Sequence, residues 1–314
     1  MPALEKIREL YPDPPPPSPE ERARARLALV ARMERPRRLS RRALLPAAGL
    51  AAAAAAAVIA LVGVGDEAAT DARAAAVLHD AAAKTKAQKI PGSGSVLYVK
   101  SVDAYLSTWA DRGNFSVLVP HVREIWQGPE GGLLDTSTGE AKFLSERDRR
   151  RWIAAGRPNL REGGAGRIAL GPQQPSDLPT DVDALFARLE NEARGHSEGT
   201  HRQMFTRLGD YLRETNISPA QRAALDEVAA RIPGVELVGP LRDSVGRRGV
   251  AVAMDHPSDG LRHTLVVDPK TGTLLAEQRV TLEENLHGYP AGTVVGHSTY
   301  LDTRMVRAPG VRPA

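Results

Sequence analysis

The 314-residue sequence contains no cysteine. That absence excludes a disulfide framework, a thiolate zinc site, a cysteine nucleophile and a lipid-modified cysteine anchor. Aromatic residues are also scarce, at 4%, so any core must be assembled from Ala, Val and Leu. No Walker sequence for phosphate binding is present. The 8 histidines, His79, His121, His196, His201, His256, His263, His287 and His297, include no His-x-x-x-His pair, which excludes the helical metalloprotease motif. Asp255-His256 and His263 can meet across a hairpin as a metal or acid/base site, but solvated turn and strand residues are the default reading of such a trio.

Two further motifs fail on context. Gly164-Ala165-Gly166-Arg167-Ile168-Ala169 matches a relaxed dinucleotide fingerprint, yet no hydrophobic strand precedes it and Pro172 stops any helix after it. It reads as a loop. Gly296-His297-Ser298-Thr299-Tyr300 resembles a nucleophile elbow, but lacks the final glycine and lies inside a strand. The sequence therefore nominates no catalytic residue, no cofactor-binding residue, no metal ligand and no cofactor. Trp109, Trp126 and Trp152 each have a plain packing role, with part of an apolar ligand wall as the alternative.

What is present is a charge asymmetry. The net charge is +4 and the pI about 9.5. Residues 1–42 hold 11 basic and 6 acidic side chains, leaving 31 and 32 in the remainder. The excess sits wholly in the N-terminal tail, so the basic pI is not the footprint of a nucleic-acid-binding domain, and no nucleic acid partner is expected. Ala43 to Gly65 is uncharged. As a helix it would extend roughly 34 Å, against a hydrocarbon core of about 30 Å. Arg35, Arg37, Arg38, Arg41 and Arg42 precede it; Asp66 and Glu67 follow it. Arginine is retained on the cytoplasmic side. The expectation is a single-pass cell-membrane protein: a cytoplasmic tail over 1–42, a transmembrane helix over 43–65, and an extracytoplasmic α+β domain over 66–314.

Along the chain, the Asp13 to Pro17 run reads as a polyproline spacer, and Ser18 with Pro19 and Glu21 starts a helix reaching about Glu34. Glu67 to Lys89 is helical in pattern. Strands are expected over Val96 to Val102, Phe115 to Trp126 with a break at Pro120, Gly131 to Thr136 and Glu140 to Leu144, with Asp135 to Gly139 as the hairpin turn between the last two. Glu146 to Trp152 reads as a short helix. The Gly- and Pro-rich stretch 157–179 reads as a linker or long loop. A helical block over 180–232 follows: one helix boxed by Thr180 and Asp183, one carrying Met204, Phe205, Leu208, Tyr211 and Leu212, and one opened by Ser218-Pro219 with Gln221. Five strands return from Val235 to Met305, with Asp268-Pro269-Lys270-Thr271-Gly272 as a hairpin turn. Strands on both sides of a helical insertion argue for an antiparallel sheet.

The arginine-rich tail, the alanine-rich span, the segment Leu178 to Leu185, Val235 and the Asp268 to Gly272 turn together resemble an uncharacterised actinobacterial family of single-pass membrane proteins. That family is compared with anti-sigma-factor-associated membrane proteins. The strand layout is similar to the curved antiparallel sheet of lipoprotein-carrier-like (LolA/RseB-like) outer domains. The resemblance implies a non-enzymatic extracytoplasmic sensor or binding protein with a regulatory role. Its partners would be membrane lipid at the span, a cytoplasmic regulator at the tail, and an apolar ligand or protein at the outer sheet. The alternative is an envelope lipid or lipoprotein carrier or chaperone, with a hydrolase behind both.

Overall fold

The computed structural model describes residues 71–160, 166–171, 177–285 and 287–313. The chain divides into two units, Met1–Ala56 and Ala57–Ala314, and every described residue belongs to the second. The expected span 43–65, the tail helix and all seven topology residues, Arg35 to Glu67, lie outside the described residues. Among the described residues no helix is long and apolar enough to cross a membrane.

Among the described residues, ten strands form one antiparallel sheet: β1 (Val96–Trp109), β2 (Phe115–Leu118), β3 (His121–Gly128), β4 (Gly131–Thr138), β5 (Gly166–Leu170), β6 (Glu236–Arg242), β7 (Arg248–His256), β8 (Leu261–Val267), β9 (Leu274–Thr281) and β10 (Val294–Val306). Their order is β5-β4-β3-β1-β10-β9-β8-β7-β6, with β2 pairing the far end of β1. The α-helices of the described residues are α1 (Ala72–Lys86), α2 (Glu146–Ala154), α3 (Val182–Ala193), α4 (Thr200–Glu214) and α5 (Pro219–Ala229). The α+β class and the inserted helical block follow the sequence reading.

Local chemistry explains the helix starts. Asp71 accepts the Arg73 amide at 2.9 Å to cap α1, and Lys84 and Lys86 occupy its last turn, where the helix dipole favours cations. Ser218 and Gln221 form the expected reciprocal capping box of α5, with Pro219 in the first turn. The cap of α3 is Asp181, which accepts the Ala184 amide at 2.9 Å, in place of the expected Thr180.

The expected break at Pro120 separates β2 from β3 as two distinct strands. Two other strand expectations are corrected. Residues 135–138 continue β4 instead of turning, because Asp135, Thr136, Ser137 and Thr138 each pair with a β3 residue; the reversal falls at 129–130. Glu140 to Leu144 forms no strand, only an isolated bridge between Lys142 and Leu118. Within 157–179, expected as a linker, Gly166–Leu170 adds to β4 as an edge strand, and Leu160 and Leu178 are buried.

The principal core packs α1, α3, α4 and α5 on one face of the sheet: Leu185, Leu189, Phe205, Leu208, Leu225 and Ile232 meet Val252, Met254 and Leu265. On the other face Trp126 and Tyr98 pack with Val96, Leu133 and Val306. A third cluster, around Phe115, Val117 and Leu160, gathers Trp109, Phe143 and Trp152 beside α2.

Asp226 of α5 is buried within the helical layer, and burial pushes its carboxyl pKa from 3.8 up to about 8, against the opposing pull of Arg222 and Thr85. Between these two pH values the folded chain keeps a proton that the unfolded chain has shed. Stability from this group is thus full below about pH 4 and is lost as pH rises through 8. The expected loss is at most about 1.4 kcal/mol per pH unit. Asp226→Asn should flatten the fall in urea midpoint between pH 5 and pH 8; an unaltered slope would assign the titration elsewhere.

Candidate functional site

The helix-facing side of β1, β3, β9 and β10 is polar where it meets α4. Alternation along the strands puts Asp103, Arg123, Glu277, Ser298 and Tyr300 on this side. Arg123 donates to Asp103 at 2.9 Å and to Glu214 of α4 at 2.6 Å. Arg213 of α4 forms a two-pronged pair with Glu277, at 3.2 and 2.9 Å, and Glu277 also accepts from the Tyr300 hydroxyl at 2.7 Å. Burial pushes the Glu214 and Asp210 carboxyls up and the Tyr300 hydroxyl well up. Coulombic attraction from Glu277 holds Arg213 charged in spite of its burial. Desolvation cancels much of the attraction of such partly buried pairs, so their net contribution to stability is small compared with the cost of removing one partner.

Beside this network lies a cleft of about 60 Å³ lined by Tyr105, Asp210, Arg213, His263 and Arg279. The Arg279 guanidinium stands 5.2 Å from the centre of the Tyr105 ring. A second cleft of about 80 Å³ opens between Gln88, Ile90, Leu212, Pro219 and Leu274.

At the end of the first cleft, the β7–β8 hairpin brings His256 and His263 together. Met254 stands opposite His263 and His256 opposite Leu261, so the two histidines are diagonal neighbours on one face. Their rings stack at 3.9 Å with 15° between planes. Asp259 of the turn places Oδ2 4.0 Å from His263 Nε2. Glu198, in the loop before α4, lies 3.2 Å from His256 Nδ1. Burial pushes both rings down, His263 to about 4 with the neighbouring His256 adding to the effect. Both rings are therefore neutral at pH 7.

The sequence paired Asp255 with these histidines. The structure corrects this: Asp255 is on the opposite face, bound by Arg262 at 2.5 and 3.0 Å. Asp259 takes its place. The signal was readable as His256-x-x-Asp259-x-x-x-His263, whereas Glu198 arrives from a remote loop and carries no local signal.

Other motifs resolve as structural. Ser298 is mid-strand in β10, its hydroxyl 2.8 Å from that of Tyr105, and not on a strand-to-helix turn. Gly166 to Ala169 forms part of β5, away from any helix start. Trp126 stands with Tyr98, while Trp109 and Trp152 belong to the Phe115 cluster, so the three indoles form no common wall.

No protein-family model matches this chain, and no curated protein does. Solved structures do. A crystal structure of MucB in complex with MucA(peri) is 13% identical over 75% of this chain and 57% of that chain, with a TM-score of 0.28. A crystal structure of MucB is 14% identical over 78% of this chain and 61% of that one, also at 0.28. The Pseudomonas aeruginosa MucA/MucB complex gives 13%, 77%, 59% and 0.24. The chain thus spans about three-fifths of the length of these solved chains. Superpositions of this extent leave the fold to be read from this chain's own strands and helices.

Proposed function

We propose that this chain is a membrane-anchored, extracytoplasmic, non-enzymatic sensor or binding protein with a regulatory role, whose outer domain takes a polypeptide along the β5 edge of its sheet. The observation that carries the polypeptide half is a contrast between the two sheet edges. At one edge, β6 is blunted by Pro240 and by a register break at Gly239, whose φ of 102° re-aims the strand. At the other edge, β5 has neither device. Residues 166–169 are exposed, and Ile168 is 60% accessible. β5 is short and carries Arg167, paired with Asp135 at 2.8 Å, but no proline or bulge interrupts it, and an exposed edge with a β-branched residue is the chemistry that accepts an added strand. The anchoring half rests on the uncharged run Ala43 to Gly65 and its flanking charges.

A lipid carrier needs a cavity for acyl chains, and ligand pockets hold about 300–1,000 Å³. The two clefts described above hold about 60 and 80 Å³. Neither of these two clefts reaches that size, and the β5 edge is the observation that favours a polypeptide.

The test uses the full-length chain in a bacterial membrane, with a photoreactive residue at position 168 and a tag after Ala314. The expected result is a polypeptide adduct at position 168 and digestion of the tag by protease added to spheroplasts. Ile168→Lys, assayed by co-purification of that polypeptide, should reduce capture at least about 10-fold while moving stability by no more than about 0.5 kcal/mol, because the site is exposed. A protected tag overturns the topology. Lipid-only adducts, or capture unaffected by the lysine, overturn the edge assignment.

A further inference from the structure

The geometry points to a metal site: we propose that His256, His263 and Asp259 bind one divalent transition-metal ion, with Zn²⁺ the best match, and that Glu198 orients His256 from behind. This inference does not rest on the polypeptide-binding reading.

One donor atom from each of the three residues can be chosen so that all lie within 4.8 Å of one another. Such a spread can be drawn around a central ion with modest side-chain movement, since zinc bonds run about 2.0–2.2 Å to nitrogen and oxygen. Two imidazoles and one carboxylate suit zinc and its neighbours better than the all-oxygen shells preferred by calcium or magnesium.

The hydrogen bonding singles out the donor atoms. The His256 side chain is 0% exposed and that of His263 is 15% exposed. Nε2 of each is buried without a hydrogen-bond partner. Buried polar nitrogens are rarely left so, and two of them side by side call for a ligand. Glu198 explains which nitrogen of His256 is available. Its carboxylate, 3.2 Å from Nδ1, takes the Nδ1–H and leaves the lone pair on Nε2. This is the carboxylate–histidine arrangement found behind metal ligands. Arg202 fixes the same loop, donating to the backbone oxygens of Asp255 at 2.8 Å and Glu198 at 3.3 Å.

In-plane lone pairs of rings only 15° apart do not converge on one point, so one ring must tilt when the ion enters. His263 is the ring with room to do so. Asp259 sits in the turn between the strands, 31% exposed, and can follow. With three protein ligands, a fourth position stays open to water or to a partner's side chain.

The full-length chain in detergent, stripped with a chelator and dialysed, should bind Zn²⁺ at one ion per chain in competition with a chromogenic chelator. Co²⁺ should give saturable visible ligand-field bands. Asp259→Asn and His263→Gln should each weaken zinc binding at least about 10-fold, and Glu198→Gln about 10–100-fold, the usual effect of removing an orienting carboxylate. Circular dichroism spectra that match the unsubstituted chain show that these variants are folded. Absence of saturable binding overturns the proposal. So does binding that persists undiminished in both Asp259→Asn and His263→Gln, which would put the ion on other histidines.

Discussion

Trp126→Ala is expected to remove about 3–5 kcal/mol of folding stability, the range for deleting a large buried aromatic side chain. Trp126 is 0% exposed. It packs on Tyr98 with ring centres 5.3 Å apart, and its Nε1–H donates to the Val311 carbonyl at 2.7 Å. The indole therefore joins two jobs: it fills the sheet face opposite the helices and holds the segment after β10 onto it. A nearby ion pair, Arg312 with Glu124 at 2.7 Å, is too solvent-exposed on the arginine side to hold the segment alone. Urea unfolding should show a lower midpoint with an unchanged slope. Hydrogen exchange should accelerate at 307–313 before it does in β1. Trp126→Phe keeps most of the packing and loses the Val311 bond, worth about 1 kcal/mol. Equal losses from both substitutions would mean that the packing contributes little.

Gly272→Ala is expected to cost about 2–5 kcal/mol, the sum of two separable effects. The residue closes the β8–β9 turn with φ +75°, its amide bonded to the Asp268 carbonyl at 2.8 Å. A side chain in this left-handed region costs about 1–2 kcal/mol. A Cβ there would also collide with the Ala81 carbonyl of α1 and come within 2.6 Å of Thr85 Oγ1. Since backbone cannot yield as a flexible side chain does, α1 must shift, at a further 1–3 kcal/mol or so. Gly260→Ala is the control. It has φ +70° but nothing within 4 Å of the added carbon, so only the first cost applies. Matching melting curves for the two variants would show that the approach of α1 carries no energetic weight.

Both predictions depend on features of unequal visibility in the sequence. The turn at Asp268 to Gly272 was legible because its chemistry is local: proline sets the early torsion and glycine the late one. The Ser218 to Gln221 box was legible for the same reason. The reversal after β3 was not. Asp135-Thr136-Ser137-Thr138-Gly139 has the composition of a turn, but pairing with β3 outweighs that preference and extends it as strand. Likewise β5 is drawn from a glycine-rich stretch because β4 offers it an open edge, a reason absent from its own residues. At the histidine site the hairpin halves were visible and the carboxylate of Glu198 was not, since only the folded helical block delivers it. The polar network between α4 and the sheet was missed altogether: Asp103, Arg123, Arg213 and Glu277 form no local pattern in the sequence, and only the shared face of β1, β3 and β9 against α4 brings them together.

The centre of the sheet joins its first strand to its last, Val96 facing Val306. During synthesis, β1 must wait some two hundred residues for its principal neighbour, and long sequence separation between paired strands slows folding and leaves an edge exposed in the interval. The half of the sheet made earliest therefore keeps one side of β1 open until the last strand is in place, and completion of the domain is governed by the arrival of its C-terminal residues.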